Sequence, residues 1–219
     1  FVYILTTSVD APDFSAASAT YNAATYSQVS SLTITGPAGA NIYYTLTTNG
    51  SVPPDPTVLS TPYTGPISIP SGALIQRNIK AIAVQAGLPY SAVAGRAYVI
   101  DTVAPTHSGI TPDTGTTNVA VSTIVFVGFS EDMDESTVNS TNLSLRQGSP
   151  SGTAVNGSLI YDIPTRTAQF TPAGNLNYAT TYYVRLTTGL SDTAGNTFAS
   201  LLTSDFTTIP PAPSTPSGP

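Results

Sequence analysis

The sequence predicts an all-β chain, and three observations carry that expectation. Only 8% of its 219 residues are charged, against roughly 25% in an average soluble domain. Surface polarity therefore falls to Ser, Thr, Asn and Gln, as on the outer faces of antiparallel sheets. The chain has 19 Pro and 17 Gly, enough to supply a turn after nearly every short strand. No stretch places good helix formers at a 3.6-residue spacing, whereas alternation with a period of two recurs along the chain.

Phe1-Val2-Tyr3-Ile4-Leu5 comes first. Five consecutive apolar or aromatic residues read as a strand apolar on both faces. The next stretch, Val9-Asp10-Ala11-Pro12-Asp13, reads as a hinge. Two expectations follow for Phe1–Ser8. It is the last strand of a preceding domain in a longer chain, or a donor strand that completes a neighbouring subunit. It is too short for a signal-peptide core and lacks a basic flank, so any export signal is expected to have been removed.

Gln28–Thr35 and Asn41–Thr47 alternate strictly and are separated by the turn Gly36-Pro37-Ala38-Gly39. Ile67 and Ile69 mark a short strand between prolines, and Asn78–Val84 and Ala92–Ile100 complete a first set. Within it, Ala40-Asn41-Ile42-Tyr43-Tyr44-Thr45-Leu46, Asn49-Gly50-Ser51, Tyr63-Thr64-Gly65-Pro66-Ile67 and Ile79-Lys80-Ala81-Ile82-Ala83-Val84 resemble the chitobiase/β-hexosaminidase C-terminal-type domain. That resemblance implies an immunoglobulin-like β-sandwich that is an accessory module and not itself catalytic. Thr47-Thr48 makes the hairpin one residue longer than the family's, while Asn49-Gly50 keeps its turn chemistry.

After Asp101-Thr102-Val103-Ala104-Pro105, a second set begins. Ile110-Thr111-Pro112, Phe129-Ser130-Glu131-Asp132-Met133-Asp134, Ala168-Gln169-Phe170-Thr171-Pro172, Tyr182-Tyr183-Val184-Arg185-Leu186, Leu190-Ser191-Asp192-Thr193-Ala194-Gly195-Asn196 and Asp205-Phe206-Thr207 resemble, in order, the bacterial Ig-like domain of surface-layer and other surface proteins. The resulting expectation is two immunoglobulin-like β-sandwich domains in tandem with an N-terminal extra strand. The boundaries are 1–11 for strand and hinge, 12–101, 102–208, and a proline-rich tail at 209–219. In the strand before Phe129, Val125, Val127 and Phe129 are expected to face the core. Ile124 and Phe126 then face outward where Thr is usual, under a covering loop or as an interface.

Chemistry is sparse. With no Cys and one His, thiolate sites, disulfides and zinc are excluded or implausible. His107 is a lone histidine without a nucleophile elbow, which speaks against a catalytic triad. A net charge of −6 argues against a nucleic-acid partner, and no apolar run reaches the ~20 residues of a membrane-spanning helix. Glu131, Asp132 and Asp134, with Asp101 and the further carboxylates Asp113 and Asp192, offer hard oxygens for a structural Ca²⁺; the competing reading is that Asp134 caps a short helical turn. Sequons stand at Asn49, Asn139, Asn142 and Asn156. Lys80, the only lysine, admits a Lys–Asn crosslink or an ordinary strand role. Tyr43, Tyr63 and Tyr90 admit sugar stacking or ordinary packing. The expected function is a non-catalytic subunit of an extracellular filament or surface layer whose partners are copies of itself, with glycans as a further candidate. The alternative is an accessory or spacer region of a secreted carbohydrate-active enzyme or adhesin.

Overall fold

The computed structural model describes residues 8–213. The chain divides into two compact units, with the division between Val103 and Ala104. Among the described residues the only helical segments are two 3₁₀ turns, Tyr26–Gln28 and Glu135–Thr137. None of these is long and apolar enough to cross a membrane.

Among the described residues the first unit has nine strands: β1 (Asp13–Phe14), β2 (Ala19–Tyr21), β3 (Ser31–Leu32), β4 (Ile34–Thr35), β5 (Asn41–Thr47), β6 (Thr61–Pro62), β7 (Ile67–Ser68), β8 (Ile75–Val84) and β9 (Ala94–Ile100). A five-stranded sheet runs β2-β9-β8-β5-β6, and the pairs β1-β4 and β3-β7 form the other layer. β2 lies parallel to β9, the remaining neighbours antiparallel. Leu32, Ile34 and Ile69 from one layer meet Ile79, Ala81, Tyr98 and Ile100 from the other in a single buried cluster.

β5 has the bounds its alternation predicts. The expected strand 28–35 is broken. Its first turn is 3₁₀, which carries Val29 into the core. Leu32 then pairs with β7 and Ile34 with β1, so the chain changes partner at Thr33. Thr33 bridges the change by bonding Ser15 through both its N–H and its carbonyl. The stretch expected as a hinge is also held in this unit. Val9 is buried and its N–H donates to the Pro89 carbonyl at 3.2 Å; Pro12 is buried and Asp13 opens β1. At the tip after β5, Gly50 has φ 77°, and a Cβ there would meet the end of the Gln76 side chain. The left-handed backbone favours glycine.

Tyr98 is 1% exposed. Its hydroxyl donates to the Ala16 carbonyl at 3.1 Å, and its ring lies 6.3 Å from that of Tyr21. Burial pushes the Tyr98 phenol up well above its ordinary value, a shift that Arg96 opposes in part. Arg96 spans the neighbouring surface, 5.4 Å over the Phe14 ring and 3.3 Å from the Asp13 carboxylate.

The described residues of the second unit also form nine strands: β10 (His107–Thr111), β11 (Thr116–Val119), β12 (Val125–Phe129), β13 (Leu143–Gln147), β14 (Thr153–Ala154), β15 (Gly157–Asp162), β16 (Thr167–Pro172), β17 (Thr181–Leu186) and β18 (Leu202–Thr208). A four-stranded sheet, β10-β12-β16-β15, faces a five-stranded sheet, β11-β18-β17-β13-β14. Val125, Val127, Phe129, Ala168 and Phe170 from the first meet Leu143, Leu145, Tyr182, Val184, Leu186 and Phe206 from the second. Phe129 makes edge-to-face contacts with Tyr161 and Phe198, each at 6.0 Å. Tyr182 stacks on Phe206 at 5.8 Å. Both units are therefore two-layered β-structures, as expected for tandem Ig-like sandwiches.

Two outcomes test this packing. Phe206 is fully buried, so Phe206→Ala is expected to destabilise the second unit by about 3–5 kcal/mol in denaturant unfolding. For Tyr98, the folded state holds its proton more tightly than the unfolded state. The associated stability is whole below the model-peptide value of 10.0 and is lost as pH rises from there toward the folded-state value. Melting temperature followed by circular dichroism should fall above pH ~10. The Tyr98→Phe protein should show a smaller fall.

Candidate functional site

The densest acidic stretch follows β12. Met133, 3% exposed, anchors it: its N–H donates to the Tyr161 hydroxyl at 3.0 Å, and it bridges to Asp192. Burying Met133 turns its acidic neighbours to different tasks. Asp132 pairs with Arg166 Nε at 2.8 Å. Asp134 is the N-cap of the 3₁₀ turn, accepting from the Ser136 N–H at 3.0 Å and its hydroxyl at 2.7 Å. Helix capping is thus the observed role of Asp134. Asp192, buried, is held by the N–H groups of Ala194 and Asn196 and by Asn196 Nδ2, all at 2.8 Å. The carboxylates that approach each other in this unit are those of Glu131 and Asp192, within 4.8 Å.

Asp101 lies in the first unit. Its N–H donates to the Tyr21 carbonyl at 2.9 Å, and its carboxylate accepts from the Val103 N–H at 3.1 Å. Asp132 and Asp134 are committed to an ion pair and a cap, and Asp192 joins Glu131 in their place.

The outer face of the four-stranded sheet carries the residues expected to lie outward, Phe126 and, before it, Ile124. Val125, Val127 and Phe129 are buried, as the alternation requires. Phe126 is 38% exposed, and Ile124 just before it is half-buried. Register places Phe126 opposite Gln169, and Gln169 opposite Ile160. Ile160 is 62% exposed. Sequence reading missed it, although the apolar run Leu159-Ile160-Tyr161 inside β15 was a visible signal.

The sheet edges differ sharply. β10 and β11 each carry a register shift against their neighbours. β2 has three residues, β14 two, and β6 two including Pro62. Short strands, irregularities and proline all blunt an edge against further pairing. β15 has none of these. Its six residues pair without interruption to β16 on one side, and it ends the sheet on the other.

Phe1, Val2, Tyr3, Ile4 and Leu5, expected as the donated strand, lie outside the described residues. Among the sequons, Asn49 and Asn156 are exposed. Asn139 is exposed and its Nδ2 donates to the Ser136 carbonyl at 2.9 Å. Asn142 is half-buried, donating to the Thr137 carbonyl at 2.9 Å and accepting from the Thr187 hydroxyl at 2.7 Å. A glycan on Nδ2 would crowd the donation to Thr137, whereas Oδ1 would keep its acceptor role toward Thr187. Lys80 pairs with Asp55 at 2.7 Å. Tyr63 packs against the first core, whereas Tyr90 is half-exposed. His107 is exposed at the start of β10.

Comparisons with known proteins return two family models and several solved structures. A comparison with curated proteins finds no match. Among solved structures, the S-layer protein rSbsC(31-844) is 26% identical, with a TM-score of 0.38, over 51% of this chain and 14% of that one. The N-terminal part of the bacterial S-layer protein SbsC gives 26% identity and a TM-score of 0.38, over 51% of this chain and 25% of that one. The chicken CNTN1 FN1-FN3 domains give 15% identity and a TM-score of 0.27, covering 91% and 66% of the two chains. The chain thus spans a quarter or less of the S-layer protein structures it matches. Residues 21–94 match the family model of the chitobiase/beta-hexosaminidase C-terminal domain, and residues 101–208 match that of the bacterial Ig-like domain.

Proposed function

We propose that the chain is a non-catalytic structural element of an extracellular surface layer or filament, assembling head to tail with copies of itself. The observation that carries this reading is the succession of two different Ig-like units in one chain. Such units serve as spacers in series. The acidic residues of the second unit add to it: Asp132 and Asp134 are used in an ion pair and a cap rather than converging on a cleft.

Assembly follows from the chemistry of Phe1–Leu5. An extended segment that adds to a sheet edge gains main-chain hydrogen bonds and side-chain pockets together. Burying Phe1, Val2, Ile4 and Leu5 in a neighbour would contribute on the order of 10 kcal/mol before ordering costs. A contact between Phe1–Leu5 of one chain and a different surface of the next is heterologous, and unless its rotation closes a ring it propagates as a filament.

A second reading has its own support. The match of residues 21–94 to the chitobiase/beta-hexosaminidase C-terminal domain favours an accessory module of a carbohydrate-active enzyme or adhesin. The half-exposed Tyr90 would then serve as a stacking platform.

Electron microscopy of the purified chain separates these readings. Filaments or ordered arrays are expected from the full chain, and dispersed monomers after deletion of residues 1–7. Arrays that persist after the deletion would overturn strand donation. Glycan binding by a dispersed full chain, lost in Tyr90→Ala, would favour the accessory module.

A further inference from the structure

We propose that the free edge of β15 is the acceptor for Phe1–Leu5 of a neighbouring copy. This rests on the strand-donation reading and names the surface that donation requires.

Three observations converge on this edge. The first is its continuity. Among the edges of the five- and four-stranded sheets, β15 alone has six residues in unbroken register and no Pro, Lys or Arg. Natural sheets normally block such an edge, because its outward N–H and C=O groups template another strand. The second is that β15 carries an apolar side chain on each face, although Ser158 and Asp162 flank Ile160 on the outer one. Tyr161 is buried and Leu159 is half-buried against the core, while Ile160 is 62% exposed on the outer face. A strand added here meets apolar side chains above and below the sheet. Most sheet edges instead favour an alternating partner with one polar face. Phe1-Val2-Tyr3-Ile4-Leu5 carries apolar or aromatic side chains at every position, so neither of its faces is charged. Phe1, Tyr3 and Leu5 would fall on one side and Val2 and Ile4 on the other. The third is length. Five extended residues span about 17 Å, which fits within the roughly 20 Å of a six-residue strand.

The outer row Ile160–Gln169–Phe126 extends the apolar contact inward from the edge. A bulky donated side chain beside Ile160 would cover it as a cross-strand neighbour. The charge pattern agrees: β15 contributes a single ionisable carboxylate, Asp162, at its end, and the donor segment contributes none.

Amide hydrogen exchange on the dilute, full chain tests the assignment. A synthetic peptide of residues 1–8 is added in excess. Exchange at the outward-facing amides of 157–162 is expected to slow at least tenfold, while that of 107–111 is unchanged. Protection of 107–111 instead would transfer the acceptor to β10, overturning this assignment and leaving strand donation intact. Protection in neither segment would overturn both. Because Ile160 is exposed, Ile160→Lys should keep the melting temperature within a few degrees while weakening peptide binding at least tenfold. Ile160→Thr, which keeps β-propensity, should weaken binding less. Unchanged peptide binding by Ile160→Lys would show that β15 is not the acceptor.

Discussion

The period-two alternation of a strand governs the whole molecule. Each strand turns successive side chains to opposite faces, so a two-layered unit is stable only if one set is apolar and meets a second layer. In the second unit, Val125, Val127 and Phe129 satisfy this from one sheet and Leu143, Leu145 and Phe206 from the other. The first unit repeats the solution with Leu32 and Ile34 against Ile79 and Ile100. With no cysteines, the apolar layers and the ladders between strands are what hold each unit together. The loops inherit their positions from this constraint. The acidic loop is fixed because Met133 is drawn into the core, and Asp132, Asp134 and Arg166 then take the positions that remain.

The same constraint explains what sequence alone reveals. Asn41–Thr47 emerges with its observed bounds because all seven residues pair in one unbroken register with β8. The orientation of the β12 side chains follows equally directly. The break within residues 28–35 was not legible, because the chain changes partner at Thr33 and the partners, β1 and β7, lie far away in sequence. Local alternation carries no record of which strand lies alongside.

Side-chain pairings at long range were hidden for the same reason. Asp132 meets Arg166 across 34 residues, and Asn142 is engaged by Thr187 across 45. A sequon or an acidic run is visible in sequence, yet whether its atoms are already committed is a tertiary fact. Ile160 shows the converse. Its exposure depends on β15 being an edge, and strand order is a topological property that a local apolar run does not encode. The cap at Asp134 was legible because its partner, Ser136, is two residues away.

The sparse charge has a further consequence, for the salinity the protein can bear. Among the described residues three ion pairs occur, Lys80–Asp55, Arg96–Asp13 and Arg166–Asp132, each with at least one half-exposed or more exposed side chain. Exposed pairs of this kind are each worth ~0–1 kcal/mol, so screening by salt removes little. Apolar burial, which carries the fold, is not screened at all and is strengthened by excluded salts such as sulfate. A chain built this way is expected to keep its shape from fresh water to brine. That indifference comes from having almost no charges to lose, rather than from a dense network of them.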